Sequence, residues 1–461
     1  MRHSTDPTTG SSTEPKPDTI IPPHSSSGNS RHARNSSLPF YGGSPMRITR
    51  GIKPEGESGR RGVHPWKFLK ICFQGSCQAG MVMNFLWPVV PAAIAVNYAR
   101  PKDFLAIFIL NYIAMIPAAN LLGFASQELA RKLPKVLGVI LETTFGSLVE
   151  IVLFMVLIAK GDGSVQIIKA AILGSILANL LLCLGLCFFF GGLRRNEQSF
   201  HEAVSEVGSN LMLVAGMGLI IPALFAASVT SGITESTPMS PEQLDRHVLR
   251  ISRAVAIILV CGYFLYVFFQ IRSHHGLYED LLESDEAKDV DRSRDLYKAK
   301  LTLTETLLAL ALALACVSLI AVFLVAQIHH LVAERHVSDA FVGLILVPLV
   351  EKAAEHITAV DEAWDNQMNF ALSHVLGSSI QTALLNTPLV VFVGWGLHLD
   401  MNLKFEPFDA AVLILAILVV GGFLRDKKSN YLEGALCVMV YVMIAICAYF
   451  YPNPLAAEGH H

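Results

Sequence analysis

Six ionisable side chains stand where a chain has least reason to keep them. Glu142 and Glu150 fall in one apolar stretch, 136–159, and Glu351, Lys352, Glu355 and His356 fall in another, 340–360. If these stretches cross a membrane, each charge there costs at least about 2.5–3.5 kcal/mol on insertion scales and persists mainly where it faces a cavity or a partner. Glu150 has Gly146 and Ser147 four and three residues before it on the same helical face, and Glu355 has Glu351 and Lys352 in the same two positions. Gly146 and Pro348 loosen their helices and free carbonyls. Two facing carboxylates, Glu150 and Glu355, with carbonyl, hydroxyl and amide oxygens nearby make a site for a hard cation, and protons compete for the same oxygens. A buried ion-pair network that only pins helices together is the structural alternative.

The elements that must position these groups are membrane spans. Of 461 residues 52% are hydrophobic and 16% charged, with a mean hydropathy of +0.48, too apolar for a soluble chain of this length. Lys and Arg number 35 against 38 Asp and Glu, so no basic excess points to a nucleic-acid partner. The partner is the lipid bilayer, with the transported ions; oligomeric state is not legible. Eleven stretches approach the spanning length of about 20 residues: 82–99, 104–125, 136–159, 166–190, 206–227, 249–270, 303–327, 340–360, 371–393, 408–424 and 433–451. The tail through Lys70 carries eleven Lys and Arg, more than the nine on the whole opposite side, which puts the N-terminus in the cytoplasm. Residues 1–64, rich in Ser, Pro and Gly, read as a disordered cytoplasmic tail. Residues 65–100 hold an interfacial stretch and the first span, 272–302 an acidic cytoplasmic linker read as a solvated connector, and 453–461 a short tail. The Phe188-Phe189-Phe190 run reads as lipid-facing, and six of the eight cysteines lie in apolar runs, which argues against a disulfide framework.

An internal repeat ties the charges to the spans. Gly138 is followed 12 residues later by Glu150, then after 24 by Gly174-Ser175 and after 17 by Gly191. Gly343 is followed 12 later by Glu355, then after 22 by Gly377-Ser378 and after 17 by Gly394. Units of five spans, 101–271 and 303–452, invert the second copy relative to the first. The expected fold is therefore an all-α polytopic membrane protein with one leading helix and two inverted five-helix repeats, its site near the midplane where the repeats meet.

These residues resemble the cation/proton exchanger (CAX) branch of the calcium/cation antiporter superfamily, typified by vacuolar calcium/proton exchangers. The likeness runs from Phe104–Ala130 through Thr144-Phe145-Gly146 with Glu150 and Gly174-Ser175-Ile176-Leu177-Ala178-Asn179-Leu180. In the second half it includes Phe341-Val342-Gly343-Leu344, Pro348, Ala353-Ala354-Glu355-His356 and Gly377-Ser378-Ser379-Ile380-Gln381. By that resemblance Glu150 and Glu355 bind the transported cation, Ser175, Asn179, Ser378 and Gln381 complete the cavity, and Glu128 matches a further family acid. It also implies an acidic-organelle membrane, import of a cation driven by proton exit, and no cofactor beyond the transported cation, Ca²⁺ foremost, and H⁺. The chain departs from the family at the site. Where the family reads approximately N-A-T-F-G-N-A-x-E, this chain has Glu142 and Ser147 in place of both asparagines; where it reads G-N-A-A-E-H, this chain has Glu351 and Lys352. A span-7 acid is replaced by Val322.

Three functions compete. A proton-coupled cation antiporter leads, with Lys352, on one helix face with Glu355 and placed by the repeat opposite Glu150 or Glu142, as a built-in cation setting ion choice, monovalent Na⁺ or K⁺ being the variant preference, and His356 as a proton-relay or packing group. A salt bridge from Lys352 to Glu351 or Glu142 without bearing on selectivity is the plainer reading of that lysine. The second function is a transport-silent regulatory relative. The third is a membrane metalloenzyme built from Glu142, His356, Asp361 and Glu362, which no HExxH or nucleophile-elbow pattern supports.

Overall fold

Runs of Leu, Ile, Val, Ala and Phe long enough to satisfy every backbone group internally form helices wherever they meet lipid. The computed structural model describes residues 56–60, 62–161, 165–230, 240–289, 298–335 and 337–452. Most of the predicted N-terminal tail, residues 290–297 of the linker and the tail from 453 lie outside these. Among the described residues, ten helices are long and apolar enough to cross a membrane. They are span 1 (Gln78–Ala99), span 2 (Phe104–Ala130), span 3 (Lys135–Ala159), span 4 (Val165–Arg194), span 5 (Glu202–Thr230), span 6 (Pro241–Ser273), span 7 (Leu303–Val332), span 9 (Met368–Gly396), span 10 (Pro407–Asp426) and span 11 (Tyr431–Tyr449).

The eleventh expected segment is helical but too broken and too charged to count with them. It runs as Asp339–Phe341, a π-helical turn Val342–Leu346, Val347–Glu351 and then Ala353–Trp364, and is span 8 here. Its interruption is Lys352, at φ −93°, ψ −4°. Span 3 breaks in the same place: it consists of Lys135–Gly146 and Leu148–Ala159, hinged at Ser147 with φ −72°, ψ −3°. The two hinges each lie three residues before the acid that the repeat singled out.

The packing obeys the repeat. Span 2 lies along span 7; span 3 meets span 9 and span 4 meets span 8. The second half of span 3 meets span 7, and the second half of span 8 meets span 2. Span 10 packs on span 4 and span 5 on span 9, while spans 11 and 6 cover the later halves of spans 4 and 9. Exchanging spans 2–6 for spans 7–11 maps this set of neighbours onto itself. That is the internal two-fold expected of inverted five-helix repeats.

Spans 4 and 9, each 83% buried over their apolar windows, form the centre, whereas span 6 is 17% buried and faces outward. Close approach at the centre depends on small residues, as in membrane helix pairs generally. A Cβ on Gly174 would overlap the backbone of Leu344, and one on Gly343 would come within 2.6 Å of Ala170 Cβ and 2.8 Å of the Ile167 carbonyl. The Phe188 ring is sealed in this interior, stacked on Phe200 at 6.2 Å, so the expected lipid-facing run faces outward at Phe190 instead.

The linker is docked, not merely solvated. Helix His275–Glu286 places the Glu279 carboxylate on the first free amides of span 3, Lys135 and Val136, both at 3.0 Å. Asp285 accepts from the Asn369 amide at 2.6 Å and its Nδ2 at 3.0 Å, at the start of span 9. Both carboxylates satisfy orphan helix donors at the positive ends of helix dipoles. The same end of the bundle carries the helix Pro65–Gln74, with Phe68 and Ile71 buried and Trp66 exposed.

Gly174→Val and Gly343→Val are each expected to destabilise the protein by about 1–3 kcal/mol through overpacking, whereas Gly421→Val, which meets nothing within 4 Å, leaves stability unchanged. Thermal unfolding of the detergent-purified protein checks this; equal melting temperatures for all three would refute the close span 4–span 8 contact.

Candidate functional site

Each of the two hinged helices begins its second half with a carboxylate: Glu150 and Glu355 lie in the first turns of Leu148–Ala159 and Ala353–Trp364. There the half-helix dipole favours negative charge. Across from them spans 4 and 9 loosen into π-helical turns, Ala178–Cys183 and Thr382–Asn386, a form common at functional sites. The four irregular segments therefore meet at one place, which straight helices would fill with intrahelical hydrogen bonds alone.

The Lys352 ammonium lies between the two acids. Its Nζ is 3.2 Å from Glu150 Oε2 and 3.3 Å from Glu355 Oε2, and it donates to Ser378 Oγ at 3.2 Å. Ser378 donates in turn to Glu355 Oε2 at 3.1 Å. Glu150 Oε2 also accepts from Thr382 Oγ1 at 2.9 Å and Asn386 Nδ2 at 3.1 Å. Asn179 donates to Ser378 at 3.2 Å and its Oδ1 meets His356 Nε2 at 3.1 Å. Gln381 Nε2 donates to Ser147 Oγ at 2.6 Å, and Ser147 Oγ donates to the Thr143 carbonyl, which also accepts the Ser147 amide, at 2.9 Å.

Glu150, Glu355, Lys352, Ser378, Asn179 and His356 thus form one hydrogen-bonded cluster, with Ser147 and Gln381 a separate bonded pair at the hinge. Lys352 pairs with the two principal acids, not with Glu351 or Glu142. Glu351 is buried with neither carboxylate oxygen hydrogen-bonded; Glu150 Oε1 and Ser175 Oγ are likewise buried and unpartnered. Such groups are costly in a low-dielectric interior and mark room for a positive charge or donor. The cluster is lopsided: Glu150 is 0% exposed and Glu355 18%.

Two residues stand apart. Glu128, at the end of span 2, accepts from the Leu301 amide at 2.8 Å and pairs with Arg131 at 2.9 Å, a helix-end brace outside the central cluster. Glu142 lies one turn before Gly146 and pairs with His374 Nε2 at 3.4 Å; His374 Nδ1 is 3.2 Å from Glu362. Three of the four residues of the metalloenzyme reading therefore divide: Glu142 and Glu362 meet His374, while His356 meets Asn179. Among the described residues, no group of three or more His, Cys, Asp or Glu is arranged to hold a metal ion.

Sequence reasoning passed over Thr382, Asn386 and His374. A signal existed: Ser378, Thr382 and Asn386 recur at intervals of four in an apolar span, a polar stripe on one helical face, and His374 extends it by one turn. A cavity of about 830 Å³ at the opposite end of the bundle contains none of these residues. Its wall ammonium groups have partners, Lys169 donating to the Asn402 amide oxygen at 2.7 Å and Lys404 pairing with Asp245 at 3.4 Å.

The comparisons fit this geometry. A family described as sodium/calcium exchanger protein matches residues 104–272 and 305–450, leaving out the linker and the N-terminal region. A vacuolar calcium ion transporter of Schizosaccharomyces pombe is 32% identical over 76% of this chain and 80% of its own length. Vacuolar cation/proton exchanger 2 of Arabidopsis thaliana is 31% identical over 81% of this chain and 82% of its own. The solved structure of native YfkE aligns with a TM-score of 0.64 and 25% identity over 81% of this chain and 100% of its own. The H⁺/Ca²⁺ exchanger CAX shares the fold, with a TM-score of 0.58 and 14% identity over 85% of this chain and 91% of its own. With both five-span units inside the matched regions, and with relatives at this identity over most of its length, the chain belongs to the sodium/calcium exchanger protein family.

Proposed function

We propose that this chain is a proton-coupled cation antiporter of an acidic-organelle membrane, vacuolar like its fungal and plant relatives, with its N-terminus in the cytoplasm. In this reading it moves Ca²⁺ into the lumen in exchange for H⁺, and performs no covalent chemistry. The observation that carries it is the convergence of Glu150 and Glu355, from two hinged helices related by the repeat, on a single positive charge. Carboxylates so arranged hold a cation when ionised and release it when protonated, which makes cation and proton alternatives at one site. Relatives named as vacuolar calcium ion transporter, cation/proton exchanger and Ca²⁺/H⁺ antiporter supply the ion.

Charge counting supports a divalent ion once Lys352 is included. Glu150, Glu351 and Glu355 carry three negative charges when ionised and Lys352 one positive, a balance of two negatives. One divalent ion or two protons neutralises that balance, and a neutral site is the form that crosses a low-dielectric interior at least cost. The ammonium nevertheless occupies the ground between Glu150 and Glu355, so an incoming ion must displace it.

A second reading follows from the same lysine. If Lys352 stays where it is and Glu351 carries a proton, Glu150 and Glu355 retain one uncompensated charge between them, which a single Na⁺ or K⁺ satisfies. A lysine that never leaves would make the chain transport-silent. Flux measurements separate the three.

Glu150→Gln or Glu355→Gln is expected to abolish proton-driven uptake of Ca²⁺, Mn²⁺, Na⁺ and K⁺ into vesicles while the protein folds and reaches its membrane. Wild-type flux in both variants would remove their role. The double change Glu351→Gly with Lys352→Asn keeps the charge balance and vacates the bridge; Ca²⁺ uptake should rise relative to Na⁺ and K⁺. An ion profile identical to the parent's would reduce Lys352 to a structural pin. Lys352→Met alone should cost about 3–5 kcal/mol by leaving a buried charge unpaired, with much of that recovered when Glu150→Gln is added. A double-mutant cycle on thermal stability measures the coupling, and simple additivity would refute the pairing.

A further inference from the structure

One cluster of titratable groups remains outside the central site. His374 lies between two carboxylates from two other spans: Nε2 faces Glu142 of span 3 at 3.4 Å, and Nδ1 faces Glu362 of span 8 at 3.2 Å. Their side chains are 10%, 15% and 17% exposed. The arrangement is one layer of a pair. Glu142 is one turn before Gly146, His374 is one turn before Ser378, and Glu362 lies two turns beyond Glu355 on the same helical face. Ser378 donates to Glu355, and Gly146 lies so close to the Glu355 carboxylate that a Cβ there would overlap it. All three helices therefore lead from the His374 layer to Glu355, the more exposed of the two central acids.

The other end of the layer leads out of the bundle. Glu362 is two residues before the end of its helix at Trp364, beside the turn where Arg195 donates to the Trp364 carbonyl. That turn is on the same end as Asp285, which holds Asn369 and Lys288. The charged and titratable groups around His374 are Glu142 on span 3 and Glu362 on span 8. Asp285 on the linker helix acts on Glu362 electrostatically, and Glu362 in turn acts on Cys183 of span 4, while Tyr266 and Tyr278 line the small cavity beside Ser373 and Gly377.

We propose that Glu362, His374 and Glu142 form a proton relay between the linker end of the bundle and Glu355; this rests on the antiport reading above. A proton arriving on Glu362 passes to Nδ1 as the proton on Nε2 passes to Glu142, so one proton enters the imidazole and one leaves, with no change in oxidation state. The ring is reset by rotation about its side-chain bonds. From Glu142 the path to Glu355 follows one turn of span 3, whose pitch is about 5.4 Å, to Gly146, which lies against the Glu355 carboxylate. Gly146 leaves that interval free of side chain, a gap that one bridging water spans. The cation needs none of this layer, so proton transfer and cation binding become separable.

The test uses the full-length protein in proteoliposomes, with Ca²⁺ and Na⁺ as probes and the pH on the linker side varied. His374→Asn and Glu362→Gln should each lower the maximal exchange rate on the order of 100-fold and flatten its dependence on that pH. The apparent KM for the ion should stay within about twofold, and ion binding to detergent-purified protein at fixed pH should be unchanged. Parent-like rates and pH profiles in both variants would overturn the relay. So would a uniform loss of rate with an unaltered profile and a lowered melting temperature, which is the mark of a latch holding three helices. Glu355→Gln run alongside distinguishes the two levels of inference: if it exchanges ions as the parent does, the antiport site itself is wrong, whereas an inactive Glu355→Gln beside fully active relay variants removes the relay alone.

Discussion

A buried ammonium shared by a sealed carboxylate and a partly exposed one constrains everything around it. Taking three charges out of water costs several kcal/mol apiece unless the geometry is good and the remaining lone pairs are satisfied. The surrounding architecture meets that cost at each point. The hinge at Lys352 turns its side chain across to Glu150 as well as back to Glu355. The hinges also start new half-helices whose positive ends carry the two acids, and the π turn in span 9 brings Thr382 and Asn386 to Glu150. Without the ammonium, Glu150 would be fully sealed with no opposite charge in contact.

The repeat makes the site and the lysine unbalances it. The two hinges have nearly the same dihedral angles, and the π turns fall at matching places in spans 4 and 9. Yet the hinge residues are Ser147 and Lys352. Ser147 closes on its own helix and meets Gln381 of the other repeat through a neutral hydrogen bond, whereas Lys352 carries a charge across to Glu150 of the other repeat. One repeat thus supplies a cation to the other, and its neighbour Glu351 restores the lost negative charge without pairing with it. The two residues place opposite charges side by side, while Glu351, Ser175 Oγ and Glu150 Oε1 remain unsatisfied oxygens around the ammonium.

Much of this was legible in the chain because membrane insertion leaves few solutions. Spacings of 12 and 17 residues in both halves identified Glu150 and Glu355 before any coordinate, since a charge in an apolar span must have a reason. The direction of Lys352 was legible in part: three residues before Glu355 it meets Glu355 on one helix face, and the repeat sets it opposite Glu150 or Glu142, of which the fold selects Glu150. Thr382 and Asn386 were missed because Thr and Asn hide well in an apolar span. His374 was missed because its partners lie 232 and 12 residues away in sequence, and only the fold brings them to opposite sides of one ring. The linker was misjudged for a related reason: acidic composition reads as solvation, while two of its carboxylates are spent on helix amides.

Those linker contacts bear on how the site is held. Glu279 accepts from two span 3 amides and Asp285 from Asn369 at the start of span 9, and hydrogen bonds to charged groups contribute about 1.5–3 kcal/mol each. Spans 3 and 9 are the helices that carry Glu142 and His374 at one level and Gly146 and Ser378 at the next. The segment joining the two repeats therefore fixes the beginnings of one helix from each, a few turns from the charges those helices present. A linker that merely spanned the gap would leave spans 3 and 9 free to slide by a fraction of a turn. A slide of even 1 Å would lengthen the His374–Glu142 separation, already 3.4 Å, beyond hydrogen-bonding range. The acidic helix is in this sense part of the ion site's framework, acting through two helix N-termini on groups it does not touch.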